Sequence, residues 1–197
     1  FTLPITPNEA AEAQERTTAL RTILKPPGVF GFADETIIAR LGAERLAYLI
    51  PGKCQGFKTF IDVMLALDQS FKIVGLEIME HEEDPGLGGE IEQDYFKNQF
   101  KGKSLENVKK IKVIKEPLPD EYKKYLETKK SNAEPLPKGV IDTIRSKYQD
   151  QDIYALTGAT ISSNAVTQGV KGIIRKFAYR ITILDNIIAS QHIPVAF

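Results

Sequence analysis

Phe57-Lys58-Thr59-Phe60-Ile61-Asp62-Val63-Met64-Leu65-Ala66-Leu67, followed by Asp68-Gln69-Ser70 and a second run from Phe71 to Met79, is the stretch on which the fold turns. Phe57, Thr59, Ile61, Val63, Leu65 and Leu67 occupy alternate positions, with Lys58 and Asp62 among the residues between them. Successive side chains along a strand point to opposite faces, so this period of two buries one face and wets the other. The second run is again rich in β-branched and large apolar residues, and the polar triplet between them suits a turn. Together they predict an antiparallel hairpin whose first strand starts at Gly56, with Gly75 marking a bulge or a close approach of backbone.

Outward from the hairpin the pattern becomes helical. Thr6-Pro7-Asn8-Glu9 reads as a capping box with proline at the first helical position, and Leu20, Ile23 and Leu24 give that helix an apolar face before Pro26-Pro27-Gly28 stops it. Asp34 to Leu41 reads as another short helix. Glu92 to Lys101 reads as helical, with Tyr95, Phe96 and Phe100 as buried positions, and Ile111 to Ile114 as a strand. Pro117, Pro119, Pro135 and Pro137 bracket a charged helix from about Asp120 to Lys130. Val140 to Tyr148 is helical, and Ile153 to Leu156 a short strand. Val166, Val170, Ile173, Ile174, Phe177 and Ile181 lie three or four apart and share one face of a long last helix. The expected class is α+β: a twisted antiparallel sheet with helices packed alongside, the last of them crossing it. Residues 1–43 form an N-terminal helical segment, 44–184 the main domain with a peripheral insert at 116–150, and 185–197 a tail.

Composition narrows the function classes. The 197 residues carry 26 Lys plus Arg against 26 Asp plus Glu, so no global positive field argues for nucleic acid. Cys54 is the single cysteine, which excludes cysteine-based zinc sites and any intramolecular disulfide. No apolar run approaches the roughly 18–20 residues of a membrane-spanning helix. Charge is segregated: eight acids and no Lys or Arg between Glu77 and Asp94, then eleven lysines against five acids from Lys97 to Lys130. Solvated faces explain such runs, and an acidic lip beside a binding site is the functional alternative.

Two segments carry chemistry. The first is Leu156-Thr157-Gly158-Ala159-Thr160-Ile161-Ser162-Ser163, at the mouth of the last helix. The first turn of a helix has unpaired N–H groups and a partial positive charge, so a phosphate placed there is hydrogen-bonded and electrostatically favoured. Thr160 then presents its hydroxyl to phosphorus, while Ser162 and Ser163 cap the helix or hold phosphate oxygens. An ordinary loop and N-cap is the competing reading. The second segment is Glu80-His81-Glu82-Glu83-Asp84-Pro85-Gly86-Leu87-Gly88-Gly89, directly after a strand. Its glycines let bare backbone approach a flat ligand, Leu87 offers an apolar surface for a ring, and His81 with the carboxylates orients ring edges or the loop itself. A metal site from His81, Glu83 and Asp84 lacks a second histidine. Glu82 with Glu83 as an acid–base pair fails because neighbours on a strand face opposite ways.

In order and spacing, the two segments resemble the FMN-binding domain of the RnfG and NqrC subunits of membrane-bound ion-translocating electron-transfer complexes. In that family the FMN phosphate is esterified to a threonine in a Ser/Thr-Gly-Ala-Thr motif, matched by Thr157-Gly158-Ala159-Thr160. A His-x-Glu-Thr-Pro-Gly-Leu-Gly loop near the flavin is matched by His81 to Gly88, with Asp84 in place of the usual threonine. The resemblance implies covalent FMN on Thr160, with Thr157, Gly158, Ala159, Ile161, Ser162, Ser163, His81, Glu83, Asp84, Pro85, Gly86, Leu87 and Gly88 around it. It implies an electron carrier of the RnfG kind, with no catalytic residues of its own, in a ferredoxin:NAD oxidoreductase complex. An NqrC-like subunit or another extracytoplasmic FMN-binding reductase module is the related alternative, and a non-redox binding protein with Thr160 as a helix cap the unrelated one. It further implies a separate magnesium-dependent flavin transferase of the ApbE type and membrane subunits as partners. The domain would then sit on the extracytoplasmic side of the cell membrane, held by an N-terminal anchor absent from this sequence. The acids near the loop are expected to lower the flavin potential.

Overall fold

A computed structural model describes residues 28–33, 36–41, 44–127 and 136–191. Five strands run β1 (Gly28–Ala33), β2 (Thr36–Leu41), β3 (Glu44–Gln55), β4 (Phe60–Asp68) and β5 (Ile73–Glu80). Each pairs antiparallel with the next, so the sheet order is the chain order. The alternation read from the sequence sets the faces: Ile61, Val63, Leu65 and Leu67 of β4 are all at most 1% exposed. Burying each contributes roughly 1.5–3 kcal/mol relative to leaving it in water. The β4–β5 turn closes on Asp68, whose Oδ1 accepts from the Ser70 and Lys72 amides at 2.8 and 3.0 Å. The ladder slips between Ala66 and Leu67, where Ala66 pairs with Gly75 and Leu67 with Ile73, so a bulge lies beside the glycine that predicted one.

Two expectations about the sheet are corrected. Thr36–Leu41 is a strand, not a helix: its β-branched residues pair on both sides, with β1 and with β3. Phe57 to Thr59 lie outside the first hairpin strand, which starts at Phe60; Gly56 N–H donates to the Thr59 carbonyl at 2.8 Å and makes this a turn. The helix expected near residues 6–24 lies outside the described residues. Strand β3, next to the hairpin, is an element the sequence patterning does not announce.

After β5 the chain makes a 3-10 turn (Gly88–Glu92), the single helical turn α1 (Asp94–Lys97) and another 3-10 turn (Asn98–Phe100), in place of one continuous helix. Phe96 and Phe100 are fully buried and Tyr95 partly so. Helix α2 (Leu105–Lys110), strand β6 (Val113–Ile114), helices α3 (Asp120–Glu127) and α4 (Lys138–Tyr148) and strand β7 (Ile153–Tyr154) follow. β6 and β7 form a parallel pair. Helices α3 and α4 share a second, smaller core of Tyr122, Leu126, Ile144, Tyr148 and Tyr154, in which the Tyr122 and Tyr148 rings stack 4.4 Å apart.

Helix α5 (Thr160–Gln191) packs across β3. Its buried face is Val166, Val170, Ile174, Phe177 and Ile181, with Ile173 partly buried, as the spacing predicts. Two glycines let the layers meet: a Cβ on Gly52 of β3 would lie 2.2 Å from Ile173 Cδ1, and one on Gly169 of α5 would lie 2.0 Å from Cys54 Sγ.

Candidate functional site

The loop entering α5 is built from its own residues. The Ala159 N–H donates to the Leu156 carbonyl at 3.0 Å, closing a turn that Gly158 completes at φ +74°, a conformation that costs other residues a clash at Cβ. Ser163, fully buried, locks the turn: its Oγ accepts the Leu156 N–H at 3.0 Å and donates to the Ala159 carbonyl at 2.9 Å. The first i→i−4 bond of α5 is Ser163 N–H to Ala159 O. The N–H groups of Thr160, Ile161 and Ser162 therefore open from the helix mouth without an intrahelical acceptor. Thr160 is half-buried there. Among the described residues no group takes up its hydroxyl, whereas those of Ser162, Ser163 and Thr167 are all bonded to protein.

The loop after β5 is organised by one carboxylate. Glu83 is 6% exposed; its Oε1 accepts the Phe57 and Lys58 amides at 2.8 and 3.1 Å, and its Oε2 accepts the Ser162 hydroxyl. Three distant segments are thus tied at one point, the start of α5 among them. Gly88 sits against this knot, where a Cβ would fall 2.6 Å from Glu83 Oε2 and 2.7 Å from Ser162 Oγ. His81 Nδ1 accepts the Glu83 N–H at 3.0 Å, so that nitrogen carries no proton and Nε2–H faces Glu92 Oε1 at 2.9 Å. Asp84-Pro85-Gly86-Leu87 is a β-turn with Gly86 at φ +73°, and the Asp84 carbonyl accepts both the Leu87 and Gly89 amides. The Asp84 side chain meets Lys58 Nζ at 2.5 Å, which holds the Lys58 ammonium above the ordinary lysine range.

The two loops meet: a Cβ on Gly158 would touch Leu87 Cδ2 at 3.0 Å. Around the junction Leu87, Ile161 and Phe57 are 48%, 59% and 61% exposed and leave apolar surface open beside the helix mouth. A cleft of about 380 Å³ opens beside it, with Gly86 on one lip, Thr157 on the other, and Tyr95, Gln99, Lys123 and Tyr154 among its walls. Lys123 Nζ lies 4.4 Å from the Tyr95 ring centre. Burial and a hydrogen bond to Glu90 push the Tyr95 phenol up to about 12.

All fourteen residues read from the sequence thus fall in two touching loops and the first turn of α5. They divide by task. Thr157, Gly158, Thr160, Ile161, Pro85, Gly86 and Leu87 face outward or line the opening, and Ala159 packs beneath. His81, Glu83, Asp84, Ser162 and Ser163 have their polar atoms engaged by the protein itself, and Gly88 packs against Glu83 and Ser162. The sequence reading misses Phe57 and Lys58, whose amides seat Glu83, and the Tyr95 and Lys123 wall. The Gly56 breaker is a signal for the first pair; nothing local marks the second. Among the described residues no three His, Cys, Asp or Glu side chains converge on a metal position, and no helix is long and apolar enough to cross a membrane.

A helix mouth with open amides, a hydroxyl on its first residue and an apolar rim has the chemistry that suits a phosphorylated aromatic group. The model of the FMN-binding domain matches residues 56–175, more than half of the chain, and the chain belongs to that family. It is 28% identical over 133 residues to the RnfG component of the proton-translocating ferredoxin:NAD(+) oxidoreductase complex of Clostridium ljungdahlii. The match covers 68% of this chain, which spans about half (54%) of that relative. Its structure is similar to that of NqrC from Shewanella oneidensis (TM-score 0.48, 15% identity, 75% of this chain and 64% of the other). It is also similar to the NqrC component of the Na(+)-translocating NADH-quinone reductase from Parabacteroides distasonis (TM-score 0.47, 20% identity, 71% and 58%).

Proposed function

We propose that this chain is an electron-transfer subunit bearing FMN as a phosphoester on Thr160, in a membrane ion-translocating ferredoxin:NAD oxidoreductase of the Rnf type. The observation that carries the reading is the Thr160 hydroxyl, first in its helix and unclaimed among the described residues, beside three open amides. A helix-cap role suits it poorly. The residue before the helix is Ala159, which has no side chain to cap with, and Ser163 N–H already bonds to the Ala159 carbonyl.

In the attachment step Thr160 Oγ1 loses its proton to the transferase or to water and bonds to the flavin-side phosphorus of FAD. The pyrophosphate P–O bond breaks and AMP leaves. The remaining phosphodiester charge would lie where the helix dipole favours an anion, typically by about 0.3–1 kcal/mol. Among the described residues no general base is bonded to Thr160 Oγ1, which supports modification by a separate magnesium-dependent transferase.

Bound flavin supplies the redox chemistry, and the protein supplies orientation and local charge. Leu87 and Phe57 offer apolar surface to a ring, and the cleft with Tyr95 and Lys123 offers an adjacent wall. The acidic lip is largely answered: Asp84 is paired with Lys58, Glu77 with Lys97, and Glu83 is buried in its hydrogen bonds, leaving Glu80 and Glu82 exposed. The partners in this reading are the membrane subunits of the complex, with this domain on the extracytoplasmic side. In the test, the chain is co-produced with a flavin transferase and run on a denaturing gel. Flavin fluorescence should migrate with the wild-type protein and be missing from Thr160→Val and from protein made without the transferase. Fluorescence persisting in Thr160→Val would overturn the assignment.

A further inference from the structure

Outside the two loops and α5, Gln99 and Lys103 are the most deeply buried polar groups among the described residues, at 2% and 1% exposure, and their polar atoms are spent on backbone. Both stand on the turn after α1. Strand β7 has only two residues and bonds to β6 along one edge, through Ile153 N–H to Lys112 O and Ala155 N–H to Ile114 O. On the other edge the Tyr154 N–H donates to Gln99 Oε1 at 2.8 Å and the Tyr154 carbonyl accepts Gln99 Nε2–H at 3.2 Å. One side chain thus replaces a neighbouring strand. Lys103 Nζ donates to the Gln149 and Gln151 carbonyls at 2.8 and 2.5 Å, and Gln149 Nε2 returns a bond to the Gly102 carbonyl at 3.1 Å. The turn itself is pinned to the sheet, because Gly102 N–H donates to Ile73 O and Ile73 N–H to Lys103 O.

The stretch held in this way, residues 149–154, runs directly into Leu156-Thr157-Gly158-Ala159-Thr160. We infer that Gln99 and Lys103 are positioning residues for flavin attachment: they fix the approach of this loop to the sheet, so that Thr160 meets the flavin donor in one geometry. Glu83 sets the start of α5 from one side through Ser162, and the Gln99–Lys103 pair sets the incoming chain from the other. A misplacement of about 1 Å at a reacting atom can cost about a hundredfold in rate. Burial pulls the Lys103 amine down to about 8, against the opposing pull of Asp150 and Asp152, so a buried donor is kept at some cost. The inference rests on the proposed attachment at Thr160.

The test is a labelling time course by intact mass, with the purified chain, purified flavin transferase, FAD and Mg²⁺. Each protein is held well below its own melting temperature. Gln99→Met and Lys103→Met should be labelled at least tenfold more slowly than wild type. Ile38→Val, which loosens the core under β2, should be labelled at the wild-type rate. Gln99→Glu supplies a second readout. The introduced carboxylate keeps an acceptor for Tyr154 N–H but faces the Tyr154 carbonyl without a proton. Its rate relative to wild type should rise as pH falls and the carboxyl regains a donor. Methionine variants labelled at the wild-type rate, with only a lower melting temperature, would reduce the pair to a structural role. If they do not fold, a flat pH ratio for Gln99→Glu overturns the inference alone. A wild-type chain that takes no flavin overturns the attachment reading with it.

Discussion

Glu83 holds the site together from beneath, accepting two backbone amides and a serine hydroxyl while almost fully buried. Glu83→Ala strands three donors and should cost roughly 3 kcal/mol, read as a lower melting temperature with or without flavin. Gly158→Ala should cost about 1–2 kcal/mol, since φ of +74° and the Leu87 contact at 3.0 Å both oppose a Cβ. The Lys58–Asp84 pair gives a prediction with opposite signs. Asp84→Asn leaves the ammonium unbalanced near the loop and should raise the flavin midpoint potential, whereas Lys58→Met should lower it. Equal potentials in a redox titration of the two variants would remove this pair from the tuning of the cofactor. At this scale the sequence brings forward the two segments that meet in the fold but not how their side chains bond. Ser162 and Glu83 are seventy-nine positions apart, and their bond exists only once the tertiary fold is made.

Helix α5 and strand β3 make the interface that carries Thr160 to its place. Gly169→Ala should cost about 1–3 kcal/mol, because its Cβ would land 2.0 Å from Cys54 Sγ. Cys54→Ala should relieve part of that loss, since Cys54 Cβ, at 2.8 Å, stays in the way. Additive effects in denaturant melts of the double variant would contradict direct contact. The apolar face of α5 and the hairpin are both legible in the sequence, because α5 and β4 keep their periods and Gly75 marks the bulge in β5. β3 is not, since Pro51 and Gly52 punctuate it. Both have tertiary reasons: β2 pairs no further along β3 than Leu49, so the missing Pro51 N–H falls beyond its ladder, and Gly52 receives Ile173. β2 passes for a helix in the sequence because six residues with mixed polarity fit either period.

Across the whole molecule, one buried amine gives stability a pH signature. Lys103 titrates near 8 when folded and near 10.5 when free, so between these values the unfolded chain holds a proton that the folded chain has released. Stability should therefore rise with pH across that window, by at most about 3 kcal/mol. Lys103→Met should flatten this part of the profile in melts from pH 8 to 10. Above 10 the raised phenol of Tyr95 works the other way, since the unfolded chain ionises first. The same lysine belongs to the clamp that sets the Thr160 loop, which joins the turn after α1, the β6–β7 pair and the mouth of α5 in one frame. No local pattern announces that frame: Gln99 and Lys103 lie in a stretch that reads as an ordinary polar helix end. The central claim is the bond at Thr160. Intact mass of the chain co-produced with a flavin transferase, followed by fragmentation, tests it most directly. A gain of roughly 438 Da, one FMN less water, on a peptide containing Thr160 and missing from Thr160→Val is the predicted result. An unmodified mass, alongside a labelled control protein, or the same gain on another residue, would contradict it.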